Sequence, residues 1–194
     1  MGYMTDIKVI DNVLDEEYFF QLQSYITSDN WPWYYMDNIT NVCLGDKQSN
    51  YGFFHILKNE RGESNQYESV KQLVQTISKH VGSDHIIRCR MDMTVNRGQS
   101  YLNEPHVDLT TPHTTTIFYV NDSDGNTVIY NEMYDMPPNV PYLNMHKKLT
   151  IKQEIQPKAN RLLIFNGLHM HTGHTPTTCN QRVLINSNWH ESSL

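Results

Sequence analysis

From His85 to Trp189 the chain loses helical periodicity and breaks into short, strand-like runs separated by turn residues. Ile86–Asn96, Thr114–Asn121, Asn126–Asn131, Leu149–Ile155, Arg161–Phe165 and Gln181–Trp189 are the strand candidates. Asp122-Ser123-Asp124-Gly125 separates the second from the third and predicts a hairpin turn. Met133 to Met145 carries Pro137, Pro138 and Pro141 and is expected to be a long loop, and Asn166-Gly167 opens a His-rich loop. Short strands in this number bury their apolar faces only by closing into a sandwich or barrel.

Upstream the pattern is mixed. Ile7–Ile10 reads as an edge strand. Asp15 is placed to cap a helix, with Glu16 and Glu17 in the first turn and Phe19, Leu22, Tyr25 and Ile26 at helical spacing to about Ser28. Trp31-Pro32-Trp33-Tyr34-Tyr35 favours a strand or edge, about half of its rings in the core and one or two at a cleft. Asn38–Asn50 and Glu60–Ser64 read as loops and Tyr51–Leu57 as a strand. Val70, Leu73, Val74 and Ile77 stripe a second helix over Tyr67–Val81, which Gly82 stops. Two helices followed by about eight strands predict a mainly β chain with helices packed outside. No linker divides it, so residues 1–194 are expected to form one domain: helices and supporting strands over 1–84, β-core over 85–190.

Charge and cysteine content narrow the function classes. The net charge is −6 and no Lys/Arg run occurs, which argues against a nucleic-acid polymer as partner. Cys43, Cys89 and Cys179 are an odd, scattered set that suits a reducing cytoplasm better than a disulfide framework. No signal peptide is evident, and no run approaches the ~18 apolar residues of a membrane helix.

His106-Val107-Asp108 is the strongest chemical signal. On an extended chain, residues i and i+2 project from the same face, so His106 and Asp108 can grip one divalent metal with Val107 turned away. The third ligand is offered by His169-Met170-His171-Thr172-Gly173-His174. Arg182 follows His171 by 11 residues, and alternation places Arg182, Leu184, Asn186 and Asn188 on one strand face. A guanidinium and two amides on a core strand suit a carboxylate-binding cleft.

These residues, together with Tyr119-Val120-Asn121, Asp124-Gly125-Asn126-Thr127 and the Asn160–Gly167 run, resemble the 2-oxoglutarate/Fe(II)-dependent oxygenases. The nearest branch is the prolyl-4-hydroxylase-like one with its small virus-type members, and the motif-bearing likeness covers about residues 85 to 190. It implies a double-stranded β-helix (a jelly-roll, cupin-like core) as the catalytic unit. His106 and Asp108 match the family's metal pair. His171 fits the distal histidine best, with His169 and His174 as alternatives. Arg182 matches the residue that holds the distal carboxylate of 2-oxoglutarate, and Tyr119 matches a tyrosine touching it. Thr127 ends a turn that is Gly-Gly-x-Thr in the family and Asp-Gly-Asn-Thr here. Asn96 sits where other members place a polar cosubstrate contact, and Asn186 shares the face of Arg182.

The resemblance implies Fe(II), 2-oxoglutarate and O2 as the reactants held by this site, and hydroxylation as the outcome. The resemblance leaves the substrate open: a peptide or small molecule is expected, with peptidyl proline leading by analogy. Candidate groove walls are Trp31–Tyr35, Asn38–Asn50 and Met133–Met145. Two rival readings are a metal-binding jelly-roll without oxygenase activity and a zinc site built from His171, His174 and Cys179.

Overall fold

The computed structural model describes residues 7–39, 51–135 and 149–190. Strand β1 (Lys8–Asp11) leads into helix α1 (Glu16–Ile26), followed by β2 (Tyr34–Met36), β3 (Gly52–Asn59) and β4 (Gly62–Glu63). Helix α2 (Tyr67–Val81) comes next. Then come β5 (Ile86–Val95), β6 (Thr114–Tyr119), β7 (Thr127–Met133), β8 (Ile151–Ile155), β9 (Arg161–Asn166), β10 (His169–Gly173) and β11 (Gln181–Trp189). The Asn38–Asn50 and Met133–Met145 segments proposed as groove walls lie largely outside the described residues, as does Cys43.

Local chemistry explains both helices. The Asp15 side chain accepts the Tyr18 backbone N–H at 2.9 Å, satisfying a donor that the first turn leaves open. Helix α2 buries Val70, Leu73, Val74 and Ile77, and Gly82 ends it at φ +74°, a left-handed conformation that glycine adopts without a Cβ penalty. No helix among the described residues is long and apolar enough to cross a membrane.

Eight strands form one antiparallel sheet in the order β1-β9-β6-β11-β5-β3-β2, with β4 beside β3, and β10-β7-β8 form a second sheet. The two faces of the large sheet serve different ends. Phe118, Leu162, Ile164, Val183, Ile185 and Trp189 pack under the helices with Ile26, Leu73 and Ile77. Their sequence neighbours Ile117, Tyr119, Leu163, Phe165 and Leu184 point the other way and meet Ile129 and Ile155 of the small sheet. The period-2 alternation of β6, β9 and β11 thus builds two cores from three strands. The result is the expected jelly-roll with helices outside.

Two expectations are overturned. Asp122–Gly125 does not close a hairpin: β6 lies in the large sheet, while β7 pairs with β8 and β10. A type I′ turn needs positive φ, and Gly125 has none. Its lack of a side chain serves close packing instead, since a Cβ there would stand 2.6 Å from the His174 carbonyl oxygen. The His-rich segment is not a loop either. Residues 169–173 are strand β10, whose His169, His171 and Thr172 are buried. The N-terminal strands also pair directly with the core, β1 on β9 and β3 on β5, so four strands precede α2 among the described residues.

Candidate metal centre and anion pocket

The segment ahead of β6 runs antiparallel to β10, and His106 and His171 exchange backbone N–H···O bonds of 2.9 Å in both directions. This places the two imidazoles side by side, ring centroids 4.9 Å apart. Each Nδ1 faces a carbonyl that can only accept: His106 towards Glu104 O at 3.1 Å, and His171 towards His169 O at 3.0 Å. The ring proton therefore sits on Nδ1, and Nε2 keeps its lone pair. The ligand atoms of His106, Asp108 and His171 all lie within 4.8 Å of one another.

Asp108 is braced from the large sheet. Its carboxylate accepts from Arg88 Nη2 at 2.8 Å and from the side-chain amides of Asn186 and Asn188 at 3.0 Å each. Three donors leave room on a carboxylate that offers about four lone-pair sites. Burial alone would raise the Asp108 pKa, but the Arg88 charge, the two histidines and the Asn188 amide outweigh it and hold the group well below the usual carboxylate range. Burial, with His106 adding to it, pushes His171 down to about 4 against the pull of Asp108. At neutral pH the centre thus holds an anionic carboxylate and a neutral imidazole. The His171 Nε2 is buried with no hydrogen-bond partner among the described residues. An unpartnered lone pair beside a carboxylate fits a divalent metal with open positions, as the two-histidine, one-carboxylate set requires.

Next to this centre lies a buried cation. Arg182 is 6% exposed, and no carboxylate pairs with it among the described residues. Its Nη2 donates to Thr127 Oγ1 at 2.7 Å, and the Tyr119 hydroxyl donates to the same oxygen at 2.7 Å. Its Nε is buried without a partner. Burial lowers the Arg182 pKa, with Tyr119 and Asp92 opposing, yet a guanidinium stays charged at neutral pH. A buried charge without a counter-ion is costly, so this pocket calls for an anion. Gly173, between the histidines and the pocket, keeps the approach open: a Cβ there would stand 3.1 Å from Arg182 Nη2.

The structure thus brings together His106, Asp108 and His171, and beside them Arg182, Tyr119 and Thr127. All of these except the buried Tyr119 line one cavity of about 610 Å³, counting its open mouth. Asn186 also lines it, but its amide braces Asp108. Asn96 is not brought there. Its amide donates to Thr177 O and Cys179 O while its oxygen accepts from Gly98 N, so it clasps a loop. His169 is engaged by Tyr130 O and Lys152, and His174 by Ser100, which leaves His171 as the histidine at the centre. The Cys179 thiol turns to Ser123 and Gln181, so no zinc cluster with His171 and His174 forms. Arg88 was missed by motif reading. Its signal was the alternation Arg88-x-Arg90-x-Asp92 on a strand bordering β11.

Comparison with solved structures finds the same fold. A 2OG-Fe(II) oxygenase family protein from Burkholderia pseudomallei superposes with a TM-score of 0.62 at 12% identity, over 96% of this chain and 86% of that one. A prolyl hydroxylase from Trichoplax adhaerens, solved with a hypoxia inducible factor peptide fragment, gives 0.61 at 14% identity over 97% and 84%. The chain has the fold of the 2-oxoglutarate/Fe(II) oxygenases. The same oxygenase fold relates it to SnoN, an alpha ketoglutarate dependent epimerase from nogalamycin biosynthesis, with a TM-score of 0.63 at 10% identity over 96% and 77%. No protein-family model and no curated protein sequence matches the chain.

Proposed function

We propose that the chain is an Fe(II)- and 2-oxoglutarate-dependent dioxygenase that hydroxylates a peptide or small-molecule substrate, with peptidyl proline first among candidates by resemblance. The observation that supports this best is the buried Arg182 without a counter-charge, in the same cavity as the unpartnered His171 Nε2. A metal-binding barrel without oxygenase activity would have no use for that cation.

His106, Asp108 and His171 would hold the iron. Bound Fe(II) would supply activation of O2 at the positions the protein leaves open. Arg182 would take the distal carboxylate of 2-oxoglutarate, with the Tyr119 and Thr127 hydroxyls orienting it. Tyr119 stays protonated at neutral pH, since burial raises its pKa, and so remains a donor. Asn186, Asn188 and Arg88 fix the Asp108 carboxylate, which would be one of the metal's ligands. The balance is one O2 and one 2-oxoglutarate consumed per turnover. One oxygen atom enters the substrate as hydroxyl, the other enters succinate, and CO2 leaves.

Succinate release from 2-oxoglutarate under air tests the reading. The expected result is release that requires added Fe(II) and is lost in His106→Ala. Release independent of iron, or unchanged in that variant, contradicts it.

A further inference from the structure

The site face of β5 carries four polar residues in alternation: Arg88, Arg90, Asp92 and Thr94. Arg88 braces Asp108, and Thr94 pairs in register with Arg182. Arg90 and Asp92 remain: among the described residues they hydrogen-bond to each other and to no metal-ligating side chain, nor to Arg182. Yet both line the cavity, their side chains only 17% and 20% exposed, with Arg90 Nε 2.8 Å from Asp92 Oδ1. Taking two charges out of water costs several kcal/mol that their attraction offsets only in part. A retained pair at this depth wants a function.

Register shows what the pair faces. Along β11, Arg182, Leu184 and Asn186 lead from the anion pocket to Asp108. Leu184 is flanked by Tyr119 and Asp92, and Asn186 by Ile117 and Arg90. The pair therefore runs parallel to the path between the metal centre and Arg182, one strand, roughly 4.8 Å, to its side. One strand further out, Phe54 pairs with Asp92 and Ile56 with Arg90, and beyond them Tyr34 pairs with Phe54. Among the described residues, the small sheet packs on β6, β9 and β11 through Ile129 and Ile155, and no residue of β5, β3 or β2 belongs to that apolar cluster. Ile56 is 39% and Tyr34 55% exposed.

We propose that Arg90 and Asp92 are the specificity-determining residues for the substrate, which lies over the open wing of β5, β3 and β2. The inference rests on the oxygenase reading. Arg90 spends its Nε on Asp92 and has no other hydrogen bond among the described residues, so its terminal nitrogens can donate outward. Among the described residues Asp92 accepts only from Arg90, and it can accept more. A net-neutral pair repels a lone anion through Asp92 and a lone cation through Arg90. It is complementary to a group with an acceptor oxygen and a donor nitrogen in close succession. That is an α-amino-acid unit, its carboxyl or carbonyl on Arg90 and its amine or N–H on Asp92, with the apolar side chain against Phe54 and Ile56.

The test uses the full chain with Fe(II) and 2-oxoglutarate. The probes are free L-amino acids, capped tripeptides, nucleosides and monosaccharides, read first by their perturbation of the anaerobic iron–cosubstrate absorption and then by succinate release. Amino acids or tripeptides are expected to act, and which of the two acts assigns the source. Arg90→Met, Asp92→Asn and the charge-free double variant Arg90→Met/Asp92→Leu are each expected to raise KM for the active compound at least tenfold, with kcat changed less than threefold. A merely structural pair would not give that split, and the double variant leaves no buried charge unpaired should a single variant fail to fold. Unchanged KM in the double variant, or activity only with nucleosides or sugars or with no probe, overturns the inference. Absence of the iron–cosubstrate absorption in wild type would instead overturn the oxygenase reading.

Discussion

At the scale of single residues, the centre is a set of donors and acceptors each of which has one task left. His106 and His171 spend Nδ1 on backbone carbonyls and keep Nε2, and Asp108 is held by Arg88, Asn186 and Asn188. Replacing Arg88 by Met removes the cation beside Asp108 without touching a ligand. Metal affinity is expected to fall about 10–100-fold, as for other supports of a ligand. Titration of the apo chain with Co(II) measures it, and an unchanged affinity would show that Asp108 needs no cation. Although the structure has His106 in an isolated bridge and Asp108 in a bend rather than on a strand, the two were legible from their His-x-Asp spacing. Arg88 was not, because the partner of a buried carboxylate 20 residues away is fixed by strand pairing that sequence does not display. Asn96 was misread for a related reason: its position in the chain resembled a contact, while its amide is used up by Thr177 and Cys179 carbonyls.

At the scale of elements, alternation in β6, β9 and β11 separates stability from chemistry. Helix α2 packs on one face of the large sheet and the site lies on the other. Leu73→Ala should therefore cost about 2–5 kcal/mol of unfolding free energy. It should leave 2-oxoglutarate affinity unchanged at temperatures where the variant is folded. Urea unfolding and cosubstrate titration read the two quantities separately, and a tenfold loss of affinity would show the faces to be coupled. Helix bounds were legible down to Tyr67 and Val81, since capping and the apolar stripe are local. The path of the chain after Asp124 was not. Asp-Gly between two apolar runs signals a hairpin, and only the long-range contacts of Gly125 with His174 and Arg182 show that the chain crosses to the other sheet.

At the scale of the whole molecule, that crossing is tied down by Asp124, whose carboxylate accepts the backbone N–H groups of Thr177 and Thr178 at 3.0–3.2 Å. Burial opposes ionisation, but the Thr177 hydroxyl and the backbone bonds together outweigh it and hold Asp124 well below the carboxylate range. Asp108 is shifted in the same direction. A folded pKa below the unfolded value near 3.9 means stability that is present above that pH and is lost as pH falls through the folded pKa. The metal-free chain is therefore expected to lose stability from about pH 6.5 downward through His171, whose folded pKa is about 4, and further through these carboxylates as pH drops below about 4. Asp124→Ala should narrow its gap to wild type over that range. Urea midpoints at pH 7, 5 and 3 check this, and a gap that widens on acidification would contradict it.

The central claim is that a metal centre and an anion pocket share one cavity. Anaerobic titration of Fe(II) and 2-oxoglutarate into the wild-type chain, followed by the metal-to-ligand band in the visible, tests that most directly. The account predicts a band that needs both additions, is absent in Asp108→Ala because iron is not held, and in Arg182→Ala requires at least tenfold more 2-oxoglutarate while iron still binds. No band in wild type under conditions where iron binds, or a band in Arg182→Ala at the wild-type cosubstrate concentration, would contradict it.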